Sequence, residues 1–298
     1  MTASPGRRLR DALAAHHPLV LPGLQDALSA RLVQRAGFEV GYLSGSAVAM
    51  TLLGLPDIGL LSGTELIDQA RRIAAASDLA IVCDADTGFG NAVNVAYTVR
   101  ALEAAGMAGV QLEDQTFPKR CGHFAGKSVI ETSEMLEKVH AAVEARRDDD
   151  FVIVGRTDAR AVIDLEEAID RGRAYAAAGA DVIFVEAPQT VDELELVAGS
   201  IDAPTLVNVV EGGKTPQLSL GDYAEMGFSV VLYPTAAVRT AARALENLYG
   251  HLRAHGSTEG APVEMISFAE RNEINDFDAY ERIGDRAVAA AQSATHHT

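Results

Sequence analysis

The sequence predicts a (β/α)8 TIM barrel, and three observations carry that prediction. Eight short apolar runs recur along the 298 residues, each ending in polar side chains. The runs are continuously apolar rather than alternating, which suits strands buried on both faces. Longer Ala/Glu/Arg-rich helical stretches separate them, as βαβ units of a parallel sheet require. A doubly wound sheet is the competing architecture, but no Gly-rich phosphate loop follows the first run.

In chain order the runs are "PLVLPGLQD" (18–26), "VGYLSGS" (40–46), "LAIVCDADTG" (79–88) and "GVQLEDQ" (109–115), then "FVIVGRTD" (151–158), "DVIFVEAP" (181–188), "PTLVNVVEGG" (204–213) and "SVVLYP" (229–234). "GTELIDQARRIAAAS", "NVAYTVRALEAAGMAG" and "LEEAIDRGRAYAAAGAD" are helical candidates between them. "AAGMAGVQ" and "AAGADVIF" form an internal repeat of helix end, glycine cap and next strand. After residue 240 the pattern is helical, through "SFAERNEINDFDAYERIGDRAVAAA". The expected organisation is one barrel domain over 1–298, with 115–130 as a gating loop and 241–298 as a C-terminal helical segment.

A hydrophobic content of 48% supplies a sizeable core, and a formal charge of −17 argues against nucleic-acid or anionic-membrane partners. Cys83 and Cys121 make no disulfide framework, which points to a reducing cytoplasm. The N-terminus has a basic stretch without an apolar segment after it, so it does not read as a signal peptide. No apolar run approaches a membrane span. The closing "ATHHT" reads as a frayed tail and carries no argument.

In a barrel the C-terminal strand ends converge on one mouth, where active sites lie. Those ends supply Asp26, Ser44, Gly45 and Ser46, then Asp84, Asp86, Glu113 and Asp114, then Arg156, Asp158, Glu186, Asn208, Glu211 and Tyr233. Each Asp taken singly is as well explained as a helix cap. Taken together, several carboxylates at one mouth need a cation among them. An all-oxygen set without a His/Cys cluster suits Mg²⁺ or Mn²⁺ rather than Zn²⁺. Asp57, Asp84, Asp86 and Glu113 are therefore read as a divalent-metal shell, some of them acting through water.

The stretch "EDQTFPKRCGHFAGK" leaves the fourth run and is long enough to fold over the mouth as a lid. Lys119, Arg120 and His123 bring cations for an anionic substrate. Their company lowers the pKa of the Cys121 thiol and makes it a usable acid or base. Cys121 as the nucleophile of a cysteine hydrolase is the weaker reading, because that chemistry needs no carboxylate shell. Cys83, inside an apolar run, reads as core.

"SGSAVAMTLLGLPDIGL", "DADTGFGN", "LEDQTFPKRCGHFAGK", "GRTDAR", "AAGADVIFVEAP" and "NVVEGGKTP" together resemble the isocitrate lyase/phosphoenolpyruvate mutase superfamily, over roughly residues 15–285. "KRCGH" is the most specific of these and more typical of the C–C lyases. Phosphoenolpyruvate mutases usually carry an Asn-containing gating loop there.

The resemblance implies a barrel whose last helix is exchanged between subunits of a homotetramer. It implies Mg²⁺ near Asp57, Asp84, Asp86 and Glu113, with a 2-oxo-acid product on the metal. Ser44, Gly45, Ser46 and Arg156 would hold that product's carboxylate. The other product would lie toward Glu186, Asn208 and Arg239, with Arg271 as a further carboxylate contact. The implied reaction is retro-aldol cleavage of a 2-hydroxy acid with Cys121 as general acid and Tyr42 or Asp57 as base.

Methylisocitrate lyases typically read "EFGKT" where this chain has "EGGKTP" (211–216), a form more like the 2,3-dimethylmalate lyases. Carboxyphosphonoenolpyruvate mutase also carries "KRCGH", so P–C bond chemistry stays open beside the lyase reading, as does action on oxaloacetate. Arg239 and Arg271 favour a substrate with an extra carboxylate. A non-catalytic oxo-acid sensor is the contrasting class, and the intact metal shell and thiol argue against it.

Overall fold

The computed structural model describes residues 3–120, 122 and 126–295. The chain divides into two compact units, Met1–Thr240 and Ala241–Thr298. The first holds eight parallel strands: β1 (Leu19–Leu24), β2 (Val40–Leu43), β3 (Ala80–Asp84), β4 (Gly109–Glu113), β5 (Val152–Thr157), β6 (Val182–Val185), β7 (Thr205–Asn208) and β8 (Val230–Tyr233). They close in chain order into a barrel. β1 completes the ring against β8, with Leu19 opposite Val230 and Pro22 opposite Tyr233. All eight expected strands form. The open doubly wound sheet is excluded by the closed ring.

Strand parity decides what reaches the mouth, because successive side chains point to opposite faces. One apolar cluster fills the barrel interior and includes Val40, Tyr42, Val82, Val154, Phe184, Leu206 and Leu232. The other lies between sheet and helices and includes Leu43, Ile81, Cys83, Leu112, Ile153, Val185 and Val207. Continuing each interior series by two residues gives Ser44, Asp84, Arg156, Glu186 and Asn208. The barrel thus carries polar groups inward at the upper ends of its strands, with Gln111 in the middle of β4 as an inward amide below them. Cys83, one residue out of phase with Asp84, is fully buried among the helix-side core residues as expected. Leu9 and Ala12 of the helix Pro5–Ala15 join the interior cluster.

The two repeated helix ends are built alike. Gly106 and Gly179 take φ of +94° and +104°, a region costly for residues with a Cβ. The next amides, Met107 and Ala180, donate back to Leu102 and Tyr175 carbonyls at 3.1 and 3.0 Å. This closes each helix and starts β4 or β6 two residues later.

The second unit consists of most of the helix Ala236–His255 together with Phe268–Ile274 and Phe277–Thr295. No helix among the described residues is long and apolar enough to cross a membrane.

Candidate active site

A cavity of about 390 Å³ opens at the strand ends, lined by Tyr42, Ser44, Ser46, Asp57, Asp84, Lys119, Arg120, Gly122, Arg156, Glu186, Asn208, Glu211 and Arg239. An apolar stretch of wall is formed by Met50, Phe184, Val210, Leu232 and Val238. Most residues singled out in the sequence therefore meet in one place. Asp26 does not join them, because its carboxylate caps the helix Ala27–Arg35 in a reciprocal pair with Ser29. Arg271 belongs to the second unit, where its guanidinium lies 5.4 Å from the Phe268 ring centroid. Cys121 and His123 lie outside the described residues. Their neighbours Arg120 and Gly122 both line the cavity.

The acids crowd around β2, β3 and β4. Asp84 ends β3 and accepts from Gln111 Nε2 at 3.1 Å and from the Asp86 amide at 3.2 Å. Asp86 follows at φ +49°, and its carbonyl accepts from the Glu113 amide at 2.9 Å. A Cβ on Gly45 would stand 3.3 Å from both Asp84 Oδ2 and Asp86 Oδ1, so this glycine lies directly against the pair. Lys119 Nζ sits 2.5 Å from Asp57 Oδ1 and 2.7 Å from Asp86 Oδ1, with its side chain 4% exposed.

Electrostatics show why these acids need cations. Burial pushes the Asp86 carboxyl up to about 7, against the pull of Lys119. Burial likewise raises Glu113, although Arg156 opposes it. Burial works against the charge on Lys119, but Asp86 and then Glu113 outweigh it and keep the ammonium protonated. Tyr42 donates to Gln111 Oε1 at 2.7 Å, and burial, then Asp84, holds its proton on well above the usual phenol range. In this arrangement Tyr42 is a hydrogen-bond donor.

Among the described residues, no three acids, histidines or cysteines are placed to ligate one ion together. The four expected ligands are accordingly not a direct four-carboxylate cage: an ammonium stands between Asp57 and Asp86. The set still fits a hard divalent cation that keeps several waters. All donors are oxygens, and Glu113 Oε1 is buried without a hydrogen-bond partner among the described residues. An added cation would also relieve the mutual repulsion that raises these carboxyls.

The opposite wall is organised by Arg156 on β5. Its Nε lies 2.9 Å from Asp158 Oδ2 and 3.3 Å from Glu113 Oε2, and Nη2 lies 3.4 Å from Glu186 Oε2. The guanidinium carbon is 5.0 Å from the Phe184 ring centroid. Asn208 Nδ2 donates to Glu186 Oε2 at 3.3 Å, and its Oδ1 is buried without a partner among the described residues. Arg239 is half-exposed and donates to the Glu211 carbonyl at 2.8 Å. The 115–130 segment is tied at its base: the Gln115 side-chain amide donates to the Arg120 carbonyl and accepts from the Arg120 amide, and Gln115 bridges to Val129.

Three contributors were missed in the sequence. Gln111 orients both Tyr42 and Asp84; a fully buried amide in the middle of an apolar strand was the available signal. Lys127 and Asp158 form a buried pair at 2.5 Å. In the sequence Asp158 stands only as a strand end, and Lys127 only as the close of the lid motif. The apolar wall has no local signal, because its members come from separate strands, helices and a loop.

The fold and site define a barrel enzyme with an acid-rich, cation-bearing mouth. Residues 9–253 match the model of the phosphoenolpyruvate phosphomutase family, and the chain belongs to this family, within the PEP mutase/isocitrate lyase superfamily. It is 42% identical to the 2,3-dimethylmalate lyase of Eubacterium barkeri, over 90% of this chain and 92% of the relative. It is 46% identical to a probable 2-methylisocitrate lyase of Corynebacterium glutamicum, over 92% and 91%. A chloroplastic carboxyvinyl-carboxyphosphonate phosphorylmutase of Arabidopsis thaliana is 43% identical, over 88% and 78%. Among solved structures, oxaloacetate acetylhydrolase with 3,3-difluorooxalacetate superposes with a TM-score of 0.90 at 32% identity, covering 95% of this chain and 97% of the other. Phosphonopyruvate hydrolase with oxalate and Mg²⁺ gives 0.86 at 30%, covering 96% and 100%. The family match and the lyase relatives support a carbon–carbon lyase, in a superfamily that works with a divalent metal.

Proposed function

We propose that this protein is a Mg²⁺-dependent lyase that cleaves a 2-hydroxy di- or tricarboxylate of the 2,3-dimethylmalate or 2-methylisocitrate type. The products are pyruvate or a similar 2-oxo acid and a second carboxylate. One observation carries this reading: a single cavity is lined by Asp57 and Asp84 and also by Lys119, Arg120 and Arg156. The acids suit a divalent cation, and the bases suit an anionic substrate.

Asp84, with Asp57, Asp86 and Glu113 in part through water, would hold Mg²⁺, and Mn²⁺ could replace it. When bound, the ion supplies Lewis-acid stabilisation to oxygens of the 2-oxo acid. Ser44, Gly45, Ser46 and Arg156 take the carboxylate of that half. Glu186, Asn208 and Arg239 take the other half. Asp57 accepts the proton of the 2-hydroxyl. Its oxygen becomes the new carbonyl as the bond to C3 breaks, and the bonding pair stays on the second fragment as an enolate-like carboxylate. Cys121 gives that carbon its proton. Lys119, Arg120 and His123 stabilise the transient negative charge while the 115–130 segment excludes water.

The same reading includes a homotetramer with the last helix exchanged between subunits. The helix Phe277–Thr295 supports it by exposing Phe277, Tyr280, Ile283 and Val288.

The test is lactate-dehydrogenase-coupled detection of pyruvate with Mg²⁺ and a reductant. 2-Methylisocitrate, 2,3-dimethylmalate, citramalate and oxaloacetate are offered in turn, with isocitrate read by a glyoxylate assay. Product from one hydroxy acid, abolished by EDTA, is the expected result. Pyruvate from oxaloacetate alone, above metal-catalysed decay, would replace the lyase with a decarboxylase. Silence on all five would replace it with phosphonate chemistry, read by phosphorus NMR.

A further inference from the structure

Arg156 is surrounded by more negative charge than it can balance. Glu113, Glu186 and Asp158 all approach its guanidinium within 3.4 Å. Such a cation has no single preferred orientation unless one acid dominates. Asp158 dominates by geometry. It takes Nε at 2.9 Å and Nη2 at 3.3 Å, a two-point contact that fixes the guanidinium plane. Nη1 then has no hydrogen-bond partner among the described residues, although Arg156 lines the cavity.

Asp158 is itself fully buried and does not line the cavity. Its amide donates to Asp114 Oδ1 at 2.9 Å. Asp114 is anchored in turn by Thr157 Oγ1 at 2.7 Å, Tyr175 Oη at 2.8 Å and Arg171 Nη1 at 3.1 Å. A third buried carboxylate around one guanidinium would be unstable without a second cation. Lys127 supplies it. Its Nζ lies 2.5 Å from Asp158 Oδ1, with the two side chains 2% and 0% exposed. Lys127 also donates to the Gly122 carbonyl. Gly122 packs so closely on the site that a Cβ there would stand 2.7 Å from Arg156 Nη2 and 2.5 Å from Glu186 Cδ. One lysine therefore fixes Arg156 from two sides.

We infer that Asp158 and Lys127 are positioning residues for Arg156. Asp158 sets the guanidinium plane so that Nη1 is left for the carboxylate of the 2-oxo acid, and Lys127 provides the charge that keeps Asp158 in place. This rests on the reading that Arg156 binds that carboxylate.

The test uses oxalate as a dianionic probe, titrated calorimetrically into the full chain with Mg²⁺. Mn²⁺ affinity, read by electron paramagnetic resonance, is the control. Lys127→Met and Asp158→Asn are expected to weaken oxalate by about tenfold or more, the loss of one charge-assisted contact. Mn²⁺ affinity should stay within about twofold, and Lys127→Arg should restore most of the oxalate affinity. Arg156→Lys separates the two claims. If it loses oxalate while Lys127→Met and Asp158→Asn bind it normally, positioning is overturned and the role of Arg156 stands. If Arg156→Lys binds oxalate normally, the role of Arg156 falls. Parallel loss of oxalate and Mn²⁺ would mark a general collapse of the site and also overturn positioning. Should Asp158→Asn fail to fold, Lys127→Met carries the test alone.

Discussion

Cys121 carries the sharpest expectation at the residue scale. As the general acid its replacement by Ser should lower kcat by about 10²–10⁴-fold, because a hydroxyl is a far weaker acid than a thiol near cationic groups. Thermal unfolding should not move, and unchanged turnover would remove the assignment. A second residue-scale expectation concerns pH. Glu193 takes both ends of the Arg160 guanidinium at 2.8 and 2.6 Å, and these hydrogen bonds hold its carboxyl below the usual range. A depressed folded value means the pair stabilises the fold above the unfolded carboxyl's range. That stability is lost as pH falls below about 4.5, the ordinary Glu value. Glu193→Gln should flatten this acid limb in denaturation measured across pH. An unchanged limb would show that the pair contributes nothing, as many exposed pairs do.

Loop closure between helix and strand dominates the element scale. Gly179 holds φ +104°, and a Cβ there would meet Val143 Cγ2 at 3.1 Å. Gly179→Ala should cost about 1–2 kcal/mol from the left-handed backbone alone. Urea denaturation should show a lower midpoint with the same slope. The same element-scale logic explains the barrel mouth. β3 ends "CD" and β5 ends "GRT", so alternate positions deliver Asp84 and Arg156 inward while Cys83 and Gly155 face the helices. A one-residue slip would reverse every one of these placements.

For the whole molecule, the prediction concerns the metal. The first unit gathers six buried or half-buried acids at one mouth: Asp57, Asp84, Asp86, Glu113, Asp158 and Glu186. Among the described residues, Lys119, Lys127 and Arg156 pair with them. A divalent cation binding only the folded state should raise the unfolding free energy by about 2.7 kcal/mol at a hundredfold excess over Kd. EDTA should remove both this stabilisation and the activity. A melting temperature indifferent to Mg²⁺ would argue against a resident ion. Light scattering should give a mass near four times the 31.4 kDa chain if the tetramer forms.

The sequence by itself determined the barrel, because eight doubly buried strands must be apolar throughout and their helices must be amphipathic. Those signals are local and survive in one dimension. It also determined the residue types of the mouth, since polar groups ending apolar runs stand out, and it identified the lid motif. Tertiary structure alone decided which of those groups face each other. Asp26 turned outward to cap a helix while Asp84 and Asp86 turned inward. Lys119 came between two acids far from it along the chain. Gln111 linked Tyr42 to Asp84, and Lys127 reached Asp158 to steady Arg156. These contacts join different strands and loops, and their strength depends on burial that only barrel closure creates. No pattern along the chain records them.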